Sequence, residues 1–210
     1  MPIDFKKEQR VYYQPQTTPS AVDLPEMLFI MADGQGNPNT SAAYQQAVEM
    51  LYGISYAVKM RKKGGQEPPG YYDYVVPPLE GLWHTAGGEF DPGVTDKAAL
   101  CWTAMLRVPE YVTPDVFESA KQALAKKKPT LPLSVVRLEA FREGLCAQVM
   151  HIGPYDDEPL TVAALKKYVA DTGHRIDLSE KRRHHELYLG DPRKTAPEKL
   201  KTIIRYPISK

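Results

Sequence analysis

No stretch of the 210-residue chain is apolar over anything near the roughly 20 residues that a membrane helix needs. The first residues, Met1-Pro2-Ile3-Asp4-Phe5-Lys6-Lys7-Glu8, lack the apolar centre and small-residue cleavage site of a signal peptide. The expectation is a cytoplasmic protein without membrane contact. Cysteine is almost missing. Cys101 and Cys146 stand alone in apolar surroundings with no CxxC pair, so buried thiols are expected rather than a disulfide or a metal centre. An excess of charge of one sign is missing too: 27 basic and 26 acidic residues are interspersed and leave +1, which removes the electrostatic ground for nucleic acid as a partner. Phenylalanine is scarce, at 5 against 13 tyrosines and 2 tryptophans. Rings with polar edges suit wet cavities and interfaces better than dry cores. What remains, 42% hydrophobic and 25% charged, is enough for one large globular domain or two small ones.

Residues 1–25 hold Tyr12-Tyr13, Pro15, Pro19 and Pro25 with no sustained period and read as an arm lying across a domain that spans 26–210. Residues 27–32 form a strand that is apolar on both faces and ends in the turn-rich run Asp33-Gly34-Gln35-Gly36-Asn37-Pro38. Gly34-x-Gly36 lacks the third glycine and the Lys-Ser/Thr of a phosphate loop. After capping residues at Asn39, Thr40 or Ser41, the spacing of Ala47, Leu51, Ile54 and Val58 predicts a long amphipathic helix. Strands are expected over 71–76, where Tyr72 and Tyr74 share a face, over 79–85, and over 98–108 after a loop carrying Gly87, Gly88, Pro92 and Gly93. Thr113-Pro114-Asp115 opens a helix that closes on Lys126-Lys127-Lys128. Residues 134–141 and 145–152 alternate as a hairpin about Arg142-Glu143-Gly144. Val162, Leu165 and Val169 mark a further helix stopped at Thr172-Gly173, and the chain closes with strands around Glu186 and over 200–208.

Met31-x-x-Gly34 and Met150-x-x-Gly153 each end a strand and precede a helix and two strands, about 120 residues apart. Two strand-helix-strand-strand units, about 26–110 and 144–210 with an inserted helix-strand segment, make an α+β fold: an antiparallel sheet with helices on one face and a ligand groove on the other. Within Arg183-His184-His185-Glu186-Leu187-Tyr188-Leu189-Gly190-Asp191-Pro192, strand alternation sends Leu187 and Leu189 to the core and Glu186 and Tyr188 to the groove. A solvated outer face is the competing reading of that carboxylate. The same alternation separates His185 from His184 and Glu186 and argues against a metal site. Asp156, Asp157 and Glu158 read as acids that complement a helix start, and Ser134 and Ser179 sit in no nucleophile elbow.

The runs 29–38, Lys97 to Arg107 around Trp102-Thr103-Ala104-Met105, His151-Ile-Gly-Pro-Tyr155, and 186–192 followed by 196–205 resemble the GyrI-like small-molecule-binding family in order and spacing over nearly the whole chain. The resemblance is to its stand-alone members, because no helix-turn-helix is expected in the 25 irregular residues in front. It implies a ligand cleft with a central acidic residue at Glu186. It also implies either binding of lipophilic, often cationic, compounds or hydrolysis of DNA-alkylating cyclopropanoids, with no cofactor. Opening such a ring needs an activated water and a proton donor for the developing oxyanion. Glu186 in a ring-lined groove suits the base. Tyr188, Tyr74 or Tyr72 could supply the proton, and Trp102, Trp83 and Tyr155 could stack on a flat ligand.

Overall fold

The computed structural model describes residues 1–65, 67–85 and 96–210. Its longest strands organise the rest. β1 (Ser20–Gln35) and β4 (Val136–Ile152) run antiparallel along most of their length. The first half of β1 alternates exposed and buried side chains, whereas Phe29, Ile30, Met31 and Ala32 are all buried. Those four residues have a strand on either side and packed side chains on both faces, the situation that selects a continuous apolar run. The strand begins at Ser20, so residues 20–25 belong to the sheet and only the chain before them forms the arm.

The remaining strands are β2 (Leu79–Thr85), β3 (Leu100–Arg107), the two-residue β5 (Arg175–Ile176), β6 (His184–Tyr188) and β7 (Lys201–Ser209). Pairing runs β4-β1-β3-β2-β6-β7 and returns from β7 to β4, with β5 added beside β7. The antiparallel sheet therefore closes into a barrel, which removes its free edges. Within the first half β1 pairs with β3 and β3 with β2. Within the second, β4 pairs with β7 and β7 with β6, and the β1–β4 and β2–β6 ladders join the halves.

Two expected elements differ. Arg142-Glu143-Gly144 is not a hairpin turn: β4 passes straight through it, with Arg142 opposite Glu26 and Gly144 opposite Leu24. Gly144 takes a positive φ of 73°, which glycine adopts without the strain a side chain would add. Residues 71–76 are not a strand either. Only a single parallel bridge ties Tyr74 to Ile3, and the segment lies on α3 through the Tyr74 hydroxyl and Ser55. Strands β2 and β3 follow α3 in the chain, and α4 lies between β3 and β4. The loop about Gly87, Gly88, Pro92 and Gly93 lies outside the described residues.

Helices α1 (Phe5–Glu8) and α2 (Arg10–Tyr13) make up the arm. Helix α3 (Ala42–Lys59) starts at Ser41, whose hydroxyl accepts from the Tyr44 amide, and buries Ala47, Met50, Leu51, Ile54 and Val58. It packs on α4 (Pro114–Lys127) at Gly53, where an added Cβ would sit 2.7 Å from Leu124. Helix α5 (Glu158–Asp171) covers β4 and β7 through Val162, Leu165 and Val169. None of the helices among the described residues is long and apolar enough to cross a membrane.

On the other face of the sheet lies a buried polar network. His185 contacts Glu80 at 3.0 Å through Nε2 and Glu143 at 3.0 Å through Nδ1, and Arg205 reaches Glu143 at 3.2 Å. Burial alone would lower the His185 pKa, but the Glu143 charge and the hydrogen bonds to both carboxylates outweigh it and push the imidazole up to about 9. Burial likewise would raise Glu143, yet the charges of His185 and Arg205 hold it at about 2. The network grips the arm: Arg205 donates to the Tyr12 carbonyl, Gln148 to the Val11 carbonyl at 2.8 Å, and Arg107 to Gln9 at 2.5 Å while lying 4.0 Å over the Phe5 ring.

Candidate active site

Strand β6 alternates as its sequence dictates: Leu187 is fully buried in the core, and His184, Glu186 and Tyr188 point the other way. Directly across the β2–β6 ladder from Glu186 stands Gly81. A Cβ there would lie 2.8 Å from Trp83 Nε1 and 3.3 Å from the Tyr188 hydroxyl, so the missing side chain makes room for a chain of hydrogen bonds. Trp83 Nε1 donates to the Tyr188 hydroxyl at 2.9 Å, and that hydroxyl donates to Glu186 Oε2 at 2.7 Å. His184 Nε2 lies 2.7 Å from Glu186 Oε1. Oε2 therefore accepts from Tyr188 and Oε1 lies within hydrogen-bond reach of His184, although Glu186 is only 6% exposed.

Trp83, Glu186 and Tyr188 form the floor of a cavity of about 770 Å³, well within the range for drug-sized ligands. One wall is α3, which contributes Tyr44, Val48, Tyr52 and Tyr56 at every fourth position. Across from it stand Tyr155 and Glu158, at and just before the start of α5, and the mouth is rimmed by residues 190–193. The cavity thus opens between helices on the helix-bearing face, not on the opposite face as the sequence suggested. The reason is spacing: α3 covers β1 and β3 while α5 covers β4 and β7, which leaves the strands between them bare on that side. Tyr44 sits edge-on to Trp102 at 5.0 Å and tilted against Trp83 at 6.0 Å, and Tyr155 meets Tyr188 edge-on at 5.9 Å.

A second carboxyl shares the cavity. Glu158, the first residue of α5, is 4% exposed, and burial together with the charge of Glu186 pushes its pKa up to about 10. A helix N-terminus favours a negative side chain by at most about 2 kcal/mol, and here desolvation prevails. Burial beside Glu186 thus favours the neutral form of Glu158, which corrects its reading as a simple helix-start charge. Asp156, by contrast, is exposed and pairs with Lys97 at 3.2 Å. Burial, with Glu158 and Glu186 adding to it, raises the Tyr155 phenol to about 12, and burial beside Glu186 lifts Tyr188 well above its ordinary value.

Of the residues singled out from sequence, Glu186, Tyr188, Trp83 and Tyr155 come together at the cavity. Trp102, Tyr72 and Tyr74 do not line it. Trp102 is 1% exposed beneath Tyr44, with its ring over Gly34, where an added Cβ would come within 2.2 Å. The Tyr74 hydroxyl bonds Ser55 inside the α3 packing, and Tyr72 donates to Glu110 at 2.7 Å and sits edge-on to Tyr111. Sequence reasoning missed the α3 tyrosines, although Tyr44, Val48, Tyr52 and Tyr56 form a second stripe one position C-terminal to Ala47, Leu51 and Ser55. It weighed His184 only as a metal ligand and Glu158 only as a helix-start acid. Among the described residues no cluster of three or more His, Cys, Asp or Glu side chains could hold a metal ion.

A family model for the GyrI-like small molecule binding domain matches residues 17–209. Among curated proteins none matches the chain. The fold is similar to the crystal structure of an uncharacterized conserved protein from Listeria innocua, with 48% identity, a TM-score of 0.93, and 99% of this chain and 100% of that one covered. It is also similar to a structure described as a hydrolase from the same organism, with 45% identity, a TM-score of 0.90 and the same coverage. The EcmrR C-terminal domain shares the fold at 14% identity and a TM-score of 0.53, with 92% of this chain and 98% of that one covered. The aromatic cavity around Glu186 and the match over residues 17–209 agree, and the chain belongs to the GyrI-like small-molecule-binding domain family.

Proposed function

We propose that the protein binds flat hydrophobic small molecules between α3 and α5 and hydrolyses reactive cyclopropanoid compounds there. The observation that carries this reading is the pairing of two carboxyl groups in unlike surroundings on one aromatic cavity, Glu186 held between Tyr188 and His184 and Glu158 buried at the start of α5 with its pKa pushed up. Such a pair divides base and acid work between chemically identical side chains. A similar structure described as a hydrolase, 45% identical, supports an enzyme over a passive binder.

In the proposed reaction Glu186 takes a proton from water as the water oxygen attacks the strained ring carbon. The ring C–C bond breaks and its electron pair moves through the conjugated system to the carbonyl oxygen, which takes the proton of Glu158. One water is added and nothing is oxidised or reduced. The carboxyls end with Glu186 protonated and Glu158 ionised, and one proton passed back restores them. Tyr188 orients rather than protonates in this scheme, because its single hydroxyl proton is spent on Glu186 and its raised pKa makes it a poor acid. The α3 tyrosines and Trp83 supply faces for a flat ligand.

A second reading is a non-catalytic module for lipophilic cations, favoured by the same buried carboxylate among rings. Incubation with a cyclopropanoid in ¹⁸O-labelled water separates the two: a ring-opened product carrying the label supports hydrolysis, and unchanged compound after long incubation overturns it. We also propose that the halves are duplicates related by a pseudo-twofold axis. The matching β1-β3-β2 and β4-β7-β6 pairings support this, and superposing β1 on β4 tests it.

A further inference from the structure

The assignment of Glu186 leaves its neighbour two residues earlier without a task. His184 is fully buried, lies outside the cavity lining, and stands with its ring edge-on to Tyr206 at 4.8 Å. A histidine in that position needs a reason, because a buried imidazole costs desolvation that an apolar side chain of the same size would avoid. Its contact supplies one. Nε2 is 2.7 Å from Glu186 Oε1, and a carboxylate in its ordinary ionised form at neutral pH can only accept, which makes the imidazole the donor. A neutral ring then carries its proton on Nε2.

We propose that His184 is a positioning residue for Glu186: it donates from Nε2 to hold the carboxylate plane against the strand, so that Tyr188 takes one oxygen, His184 the other, and the remaining lone pairs face the cavity. The catalytic consequence rests on the reading of Glu186 as a base, whereas the tautomer does not. The geometry favours this over simple core filling in two ways. Each oxygen of Glu186 has one donor from its own strand, one residue behind it and one in front along the same face, so the carboxylate is braced symmetrically. The other groups around it, Glu158 at the start of α5, Tyr155 before it and Tyr44 of α3, act on it as acids or dipoles across the cavity and leave His184 as the donor on the buried side.

The test compares His184→Gln, whose amide nitrogen reaches the place of Nε2 and still donates, with His184→Leu, which fills the space without a donor. Loss of one hydrogen bond to a charged group corresponds to about a 10- to 100-fold effect. Accordingly, His184→Leu is expected to lose about that much in kcat with KM little changed, and its acid limb should move to higher pH because an unbraced carboxylate takes up a proton more easily. His184→Gln should keep the wild-type profile and a kcat within a few-fold. Equal losses in both variants, or an unmoved acid limb in His184→Leu, would overturn the proposal. Two-bond ¹⁵N–¹H spectra of histidine-labelled protein, assigned by the signal lost in His184→Gln, give an activity-free readout: the Nε2–H tautomer is expected, and an Nδ1–H tautomer overturns the donor role. Full turnover in Glu186→Gln would instead sink the base assignment while leaving the tautomer result standing, so the two failures are distinguishable.

Discussion

Gly81 faces Glu186 across the β2–β6 ladder, and the space its absent side chain leaves is filled by the Trp83 edge and the Tyr188 hydroxyl. Gly81→Ala would place a Cβ 2.8 Å from Trp83 Nε1 and force that ring to shift. We expect the Trp83–Tyr188 hydrogen bond to break, about 1–3 kcal/mol of stability to go through overpacking, and turnover to fall at least tenfold. A melting curve and a turnover assay check this. An unchanged protein by both would mean that the Trp83–Tyr188 link is idle.

Glu186→Gln keeps size and hydrogen bonding but gives up basicity, so turnover should drop by about 10²–10⁴-fold while affinity for a neutral planar ligand holds. Affinities for one neutral and one cationic compound, measured alongside turnover, distinguish a base from a counter-charge. If only the cation is affected and turnover is intact, the binding-module reading replaces the enzyme.

Glu158 predicts the opposite limb of the pH profile. Its proton is in place below a pKa of about 10, so the acid step should run unimpaired at neutral pH and fail as pH rises through that value. Glu158→Gln cannot donate a proton and should be slow at every pH. A wild-type alkaline limb near the value for an ordinary carboxylate would exclude Glu158 as the acid.

The two tryptophans should separate in fluorescence. Trp83 lines the cavity and Trp102 is packed under Tyr44, so quenching by a planar ligand should survive Trp102→Phe and vanish in Trp83→Phe. Trp102→Phe should act on stability instead, because it opens a space beside Gly34. Quenching that depends on Trp102 would move the ligand site.

On the opposite face, His185 makes stability depend on alkaline pH. Its folded pKa of about 9 lies above the ordinary histidine value, so its contribution is complete below about 6.5 and declines as pH rises through 9. Glu143, held at about 2, contributes above its ordinary value and loses that contribution only in strong acid. Replacing His185 by Leu leaves buried Glu80 without its cationic partner and Glu143 with Arg205 alone, and should cost about 3–5 kcal/mol, with a flatter stability curve between pH 6.5 and 9. Denaturant titrations at several pH values read both effects, and parallel curves for the two proteins would rule out this role.

Where local chemistry decides structure, the sequence is legible. Ser41 and Thr113 cap helices where their side chains predicted it, and the alternation in β6 places Leu187 and Glu186 on opposite faces. It misleads where distant residues decide. Arg142-Glu143-Gly144 has turn composition, but Glu143 is committed to His185 and Arg205, some way along the chain, and their charges hold the strand straight through. Tyr72 and Tyr74 alternate as a strand would, yet among the described residues no strand pairs with them beyond the single bridge of Tyr74 to Ile3. Glu158 has the position of a helix-start acid, and only the packing that buries it beside Glu186 raises its pKa.

His185 and Glu186 are successive residues on opposite faces of β6, one committed to two acids and the other to two donors. A slip of β6 by one residue against β2 and β7 would exchange them. Glu186 would then meet Glu80 and Glu143 in a buried space, three acids together, with His185 withdrawn and Arg205 left to counter them all. Misregistered barrels are thus penalised by electrostatics as well as by packing, and the dipeptide works as an assembly check: a chain that closes the barrel wrongly cannot settle, and one that closes it correctly has already placed Glu186 in the cavity.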